Sequence, residues 1–221
     1  MHVLLMQSDE TTNSLQTMLM NGGPLMIPLA LCSIVALAYI IERTIRLRTG
    51  RLGGRRFGKD LLAAVTSGGA TEGAKFCSEK NSPQARILEA GLKRNGSPSM
   101  EVEKAVEDAG AREVRRLSAN LKPLVVVAMI SPLLGLLGTV WGMIEAFSNI
   151  ALKDGLGKPE MLASGISQAL ITTAAGLAIA IPTQAAYFFF KGKIDRFVRA
   201  TEDLYLRVSD TVGGEAAHAH S

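Results

Sequence analysis

The chain has 221 residues, 48% of them hydrophobic and 20% charged, a balance that excludes both a bare bundle of membrane helices and an ordinary soluble globule. A net charge of +4 could suit a nucleic acid, but aromatic residues make up only 5% and the basic residues gather beside apolar segments, which argues against that partner. No phosphate-binding glycine loop, Cys/His cluster or nucleophile triad is present, so neither enzymatic catalysis nor a cofactor or bound metal is expected.

Charge is segregated along the sequence. No Asp, Glu, Lys or Arg occurs in Thr11–Ile41, Pro123–Ile144 or Met161–Phe190, windows of 31, 22 and 30 residues. About 20 apolar residues of helix cross a bilayer core of about 30 Å. The expected fold is therefore an all-α integral membrane protein with three transmembrane helices and helical cytoplasmic extensions. Prolines at 24, 28, 132 and 182 are compatible with this, because neighbouring membrane helices can satisfy the freed backbone groups. No basic residue precedes Arg43, seventeen lie from Arg43 to Lys122, two between the second and third spans, and five after Phe190. Lys and Arg stay on the cytoplasmic side, which puts the N-terminus outside. In chain order this predicts a periplasmic segment at 1–23, a first transmembrane helix at 24–46 and a cytoplasmic helical domain at 47–122. A second span at 123–150, a short periplasmic loop at 151–160 and a third span at 161–190 follow. An amphipathic cytoplasmic helix with a flexible tail occupies 191–221. The first apolar stretch lacks a basic leader and a small-residue cleavage pattern, and reads as a retained span.

Glu42 and Arg43 close the first span, where they are expected to pair and snorkel at the inner interface. Cys32 falls inside that span and Cys77 in the cytoplasmic segment, so no disulfide is expected. Glycines in RTGRLGGRRFG and TSGGATEG break any long helix there. Beyond them Ser97 reads as an N-cap, with Pro98 at the first helical position. The helix over 98–122 carries Val102, Val106, Ala109, Val114, Leu117, Leu121 and Leu124, and is expected to run into the second span with a bend at Pro123.

The second span holds SPLLGLLGTVWGMIEAF, Ser131 to Phe147, in which Gly135, Gly138 and Gly142 recur at helical spacing. A face of glycines lets another backbone approach closely, which is how helices associate in lipid. Thr139 sits beside that face, where a hydroxyl can bond across an interface or line a wet path. Trp141 reads as packing between subunits. On the third span Gly165, Ala169, Gly176 and Ala180 form a small-residue face. Ser164, Gln168 and Thr172, four apart, form a polar stripe that suits either a pore wall or hydrogen bonding between packed helices. The final helix carries Ile194, Phe197, Val198, Thr201, Leu204, Tyr205 and Val208 in one stripe, which must bury against something, such as the 98–122 helix. His2, His218 and His220 lie in the termini and make no metal site.

GGPLMIPLALCSIVALAYIIERTIRLR, PLLGLLGTVWGMIEAF and GISQALITTAAGLAIAIPTQAAYF together resemble the ExbB/TolQ/MotA family of ion-channel subunits. Three spans with an outer N-terminus resemble the ExbB/TolQ branch and not the four-span MotA. The resemblance implies a ring-like homo-oligomer of the bacterial inner membrane, typically a pentamer, around a single-span partner similar to ExbD or TolR. That partner's membrane aspartate would relay protons, and a TonB-like or TolA-like protein would carry the resulting movement onward. Thr139 of GTVWG and Thr173 of ITTAAG match the family's two pore threonines. Gln168 departs from the pattern: the enterobacterial members read GIAEAL where this chain reads GISQAL. An amide cannot exchange a proton at accessible pH but can still orient water.

With the second and third spans antiparallel and Thr139 level with Thr173, Glu145 would lie about 9 Å outward of Thr139 and Gln168 about 7.5 Å outward of Thr173. At such equal depth Glu145 could supply the carboxylate missing at 168, or simply end its span facing water. Two roles remain open, an ion-conducting motor subunit and a non-conducting scaffold. For the first, sodium stays an alternative to the proton.

Overall fold

The computed structural model describes residues 23–47, 52–151 and 159–218, and every element among them is helical. These are α1 (Met26–Arg46), α2 (Gly54–Ser78), α3 (Pro83–Leu92), α4 (Ser99–Ala119), α5 (Lys122–Ala151) and α6 (Pro159–His218). Residues 1–22 and 152–158, holding the expected periplasmic segment and most of the outer loop, lie outside the described residues, as do His2 and His220. Among the described residues three helices are long and apolar enough to cross a membrane, as the charge-free windows predict. The chain divides into an apolar unit, up to Ile40 and over Pro123–Tyr187, and a charged unit, Ile41–Lys122 with the chain from Phe188 onward.

In the apolar unit the buried residues of α5 are Leu124, Val127, Ala128, Ser131, Gly135, Gly138, Gly142 and Ala146, which keep one face by steps of three and four. The first half of α6 repeats the pattern with Ala169, Thr172, Gly176, Ala180 and Thr183. α1 buries Met26, Leu29 and Ala36 and leaves Ile27, Leu31, Ile34 and Leu37 exposed. Exposed apolar faces of this extent suit lipid or other chains, not water.

The charged unit closes on a core of Phe57, Leu61 and Val65 from α2, Leu88 and Leu92 from α3, and Leu204 and Val208 from α6. Leu61 has no exposed surface, so truncating it to alanine would cost about 2–5 kcal/mol. α2 bends within the glycine-rich stretch expected to break it: Gly69 takes φ +65°, a conformation side chains rarely adopt. α3 starts on a cap that sequence reading missed, Ser82, whose Oγ accepts from the backbone N–H of Ala85 at 3.2 Å. The similar Ser97–Pro98 pair behaves otherwise. Pro98 is extended (ψ 140°) and is itself the N-cap of α4, without a side-chain cap bond, so the helix begins one residue later than expected.

α4 does not run into α5. It ends at a cap on Asn120, with Leu121 N–H donating to Ser118 O at 2.9 Å, and Pro123 sits in the first turn of α5, where its missing N–H is no loss. The buried face of α4 is also shifted, to Ala105, Ala109 and Glu113, while Val102, Val106 and Val114 are half-buried. Glu113 is there because Arg86 of α3 grips it through two bonds, Nε to Oε1 at 2.8 Å and Nη2 to Oε2 at 2.7 Å. Arg43 pairs with Glu42 as expected (3.3 Å) but does not snorkel: it is 2% exposed and donates to Leu117 O at 3.2 Å, one of the last carbonyls of α4. The stripe on the distal part of α6 buries Ile194, Phe197, Thr201, Leu204 and Val208. Its core contacts are to α2 and α3. Between it and α4, the partner expected for it, runs a groove of about 450 Å³ flanked by Val106, Gly110 and Val114. Cys32 and Cys77 are both unpaired, and burial, then Glu89, pushes the Cys77 thiol up to about 12.

The hydrogen bond from Arg86 holds the Glu113 carboxyl below its usual 4.5. A lowered folded value means that the pair's contribution is complete above pH 4.5 and is lost as the pH falls through the folded value. Glu113→Gln is expected to lower the unfolding free energy of the chain by about 1–3 kcal/mol at pH 7. In denaturant titrations the deficit should shrink below pH 4.5. Lys75→Gln, which breaks an exposed pair with Glu72, should cost under about 1 kcal/mol at either pH.

Candidate functional site

The seam between α5 and the first half of α6 is built from residues that have almost no side chain. A Cβ on Gly176 would stand 2.6 Å from Ser131 O, and one on Gly135 would stand 3.1 Å from Thr173 Cα. Further along, a Cβ on Gly142 would meet Ala169 Cβ at 3.1 Å and Gly165 O at 3.2 Å, and one on Gly165 would meet Ala146 Cβ at 2.6 Å. All five glycines expected to pack helices, Gly135, Gly138, Gly142, Gly165 and Gly176, lie on this contact. Sequence reading missed Ser131 and Ala146, although the same three-and-four spacing of small residues could have found them.

The seam fixes which turn meets which. Thr173 Oγ1 donates to Gly135 O at 2.9 Å, so Thr173 is level with Gly135 and not with Thr139. Thr139 lies four residues further along α5, about 6 Å toward the 152–158 end. Gln168, next to Ala169, is then level with Gly142, and Glu145 lies about one turn beyond it. The equal depth expected of Glu145 and Gln168 is corrected accordingly.

The five candidate path residues fall into different surroundings. Thr139 follows the seam residue Gly138 by about 100° of helix and is half-exposed, its Oγ1 donating to Leu136 O at 2.6 Å. Thr173 is half-buried at the edge of the seam. Thr172, expected on a polar stripe, is 1% exposed, with its methyl against Gly138 and its Oγ1 donating back to Gln168 O at 3.0 Å. Its polarity is satisfied by its own helix. Thr183 does the same with Ile179 O at 2.7 Å. Gln168 is half-buried, its amide end against Gly23 just before α1, where φ is +72° and any Cβ would fall on the amide nitrogen. Glu145 is exposed, as are Ser164 and Trp141. Thus Thr172, Thr173 and the glycines are brought together, whereas Thr139 and Glu145 stand outside the seam. One buried hydroxyl, Ser131 Oγ, makes no hydrogen bond among the described residues.

The arrangement binds two helices backbone to backbone and leaves a hydroxyl and a carboxylate on surfaces open to another molecule. Among the described residues no group of His, Cys, Asp and Glu could hold a metal ion.

The sequence model of the MotA/TolQ/ExbB proton channel family matches residues 79–203. The chain is similar to an ExbB-like protein of Synechocystis, 33% identical over 74% of this chain and 79% of that one. It is 29% identical to the biopolymer transport protein exbB1 of Vibrio cholerae, over 93% of this chain and 92% of that one. Over a shorter stretch, 44% of this chain and 42% of that one, it is 38% identical to the Tol-Pal system protein TolQ of Pseudomonas aeruginosa.

Gly176→Ala is expected to force α5 and α6 apart, because the atom in the way is a backbone carbonyl. Gly192→Ala, where nothing lies within 4 Å, should be neutral or stabilising by about 0.5–1 kcal/mol through helix propensity. The thermal unfolding temperature in one detergent should fall for Gly176→Ala and stay level or rise for Gly192→Ala.

Proposed function

The chain belongs to the MotA/TolQ/ExbB proton channel family, and on that premise we propose that it is the ion-conducting subunit of a motor in the bacterial inner membrane. Five copies would surround the membrane helix of an ExbD-like or TolR-like partner, whose aspartate carries the proton. Proton-motive force would become mechanical work passed to a TonB-like or TolA-like protein. The N-terminus would be periplasmic and the C-terminus cytoplasmic, as the distribution of Lys and Arg favours. The names of the Vibrio and Pseudomonas relatives, a biopolymer transport protein and a Tol-Pal system protein, support this class of role.

The observation that carries the reading is the division of labour on α5. Its glycine face is spent on α6, while Thr139 remains on a half-exposed surface among exposed apolar residues such as Leu136 and Val140. In a ring those surfaces would be covered by lipid and by other copies, and Thr139 would present an oxygen to the ion path. Glu145 would form an outer collar of carboxylates that concentrates cations, one turn beyond Gln168. Gln168, lying against Gly23, would position the entrance of α1 without titrating. Thr173 would touch the path only from the seam edge, and Thr172 would serve packing.

A second reading, a membrane scaffold that does not conduct, draws support from the hydroxyls of Thr172 and Thr173, both committed within the hairpin. Ion flux into liposomes holding the chain with its single-span partner separates the two. The motor predicts proton flux that disappears when the partner's aspartate becomes asparagine and falls about tenfold, equivalent to about 1.4 kcal/mol, in Thr139→Val. Flux under a sodium gradient alone would change the ion. No flux under either gradient, from a complex shown to be intact, would leave the scaffold. Glu145→Gln should lower flux about two- to threefold at low ionic strength and have no effect at high salt, since an exposed collar acts through screened attraction.

A further inference from the structure

The groove of about 450 Å³ between α4 and the distal part of α6 lies wholly within the charged unit, apart from the seam. Val106 and Val114 of α4 and Val198 and Tyr205 of α6 line it, with Ile87 of α3 against them. The four belong to stripes whose helical spacing calls for burial, yet each stays half-buried where the two helices stand apart. Along α4 the lining runs from Glu103 to Val114, about 16 Å or three helical turns. Gly110 lies midway, and nothing stands within 4 Å of where its Cβ would be. Glycine inside a helix is unfavourable relative to alanine, and no contact among the described residues calls for one here. Its effect is to leave the middle of the groove open.

The rim of this groove is acidic although the unit is basic. The stretches 41–122 and 188–221 hold 22 bases and 15 acids, yet Glu103, Glu107 and Glu202 edge the groove and no base does. All three are exposed, and none joins an ion pair among the described residues. Glu103 and Glu107 stand one turn apart on α4, a spacing at which like charges repel. Glu103 is also felt across the groove: burial, then this carboxylate, pushes the Tyr205 phenol up. An apolar channel three turns long between carboxylates is complementary to a helix whose apolar stripe is flanked by Lys or Arg. A second copy of the charged unit offers no such helix. On α2, α3, α4 and the part of α6 beyond Phe190, the exposed large apolar residues are Met100 and Leu206, single residues on different helices.

We propose that the groove between α4 and α6 binds a basic amphipathic helix of another protein. Its apolar residues would cover Val106, Val114 and Val198, and its Lys or Arg residues would meet Glu103, Glu107 and Glu202. Bound there, the helix would tie α4 to α6. The site is independent of the ion path and stands whichever role the seam serves.

The test uses the full chain in phosphatidylcholine nanodiscs and a fluorescent synthetic helix of about four turns, made of Leu, Ala and Lys with the leucines in one stripe. Binding is read by anisotropy with empty nanodiscs subtracted, because basic amphipathic helices also bind bilayers. The peptide is expected to bind at low ionic strength, with affinity about tenfold weaker in Glu103→Gln/Glu107→Gln/Glu202→Gln. Asp60→Asn/Asp195→Asn/Asp210→Asn removes equal charge outside the groove and should leave affinity within about twofold of the parent. Gly110→Leu, which fills the middle of the groove, should abolish binding without lowering the unfolding temperature. Equal losses in the two triple variants, undiminished binding to Gly110→Leu, or equal binding of a peptide with Glu in place of Lys would overturn the site. No binding to the parent would overturn it too, and a change of oligomeric mass in Gly110→Leu would then give the groove to a second copy of the chain. If circular dichroism shows that Gly110→Leu has lost helix, the two triple variants carry the comparison.

Discussion

The approach of α5 to α6 is a constraint on which the apolar unit depends. Helices in lipid gain little from hydrophobicity, since the surrounding chains are equally apolar, so the pair must be held by dispersion at short range and by whatever polar contacts the backbone can make. Ser131, Gly135, Gly138 and Gly142 on one side and Ala169, Thr172 and Gly176 on the other bring main chain to main chain. At that distance a side-chain hydroxyl reaches a carbonyl of the facing helix, as Thr173 does with Gly135. The same approach turns the remaining faces of both helices outward, with Leu133, Trp141, Leu170 and Leu177 exposed. Packing inside the hairpin and openness outside it are therefore one fact, and the candidate ion-path residues are sorted by it.

The charged unit is organised by a different force. Its helices bury leucine and phenylalanine in the usual way, but α3 and α4 are joined through a carboxylate and a guanidinium gripped at two points. Arg43 extends the pattern by donating to the last turn of α4, where unsatisfied carbonyls and the helix dipole favour a cation. Some basic residues of this unit thus have duties inside it.

Much of this was legible in the sequence because charge in lipid is expensive. The three windows without Asp, Glu, Lys or Arg located the spans, and the glycine and alanine spacing located the helix faces that meet. Register was not legible. Placing Thr173 opposite Gly135, one turn from Thr139, is decided by tertiary contacts that no periodicity encodes. The burial of Thr172 was not legible for a local reason: a threonine in a helix can turn its hydroxyl onto the carbonyl four residues back and bury as a small apolar group. The burial of Glu113 has no signal in the local sequence, because its partner, Arg86, lies in another helix. The Ser-Pro pairs show the limit of short motifs. Ser82 caps its helix, whereas Ser97 follows Gly96 at φ +94° and belongs to the turn before.

The core of the charged unit has a consequence for how the protein is made. Phe57, Leu61 and Val65 are synthesised before α5, yet Leu204 and Val208, which complete their core, emerge from the ribosome only after α5 and the first half of α6. Between the two events α5 and the first half of α6 must both enter the bilayer. The nascent chain therefore carries an open apolar surface through the whole of membrane insertion, a state prone to aggregation. The distal part of α6 acts as a late clasp, so a polypeptide that stalls or is cut before Leu204 would reach the membrane with its spans in place and its charged unit unsealed, a mark by which quality control could recognise it.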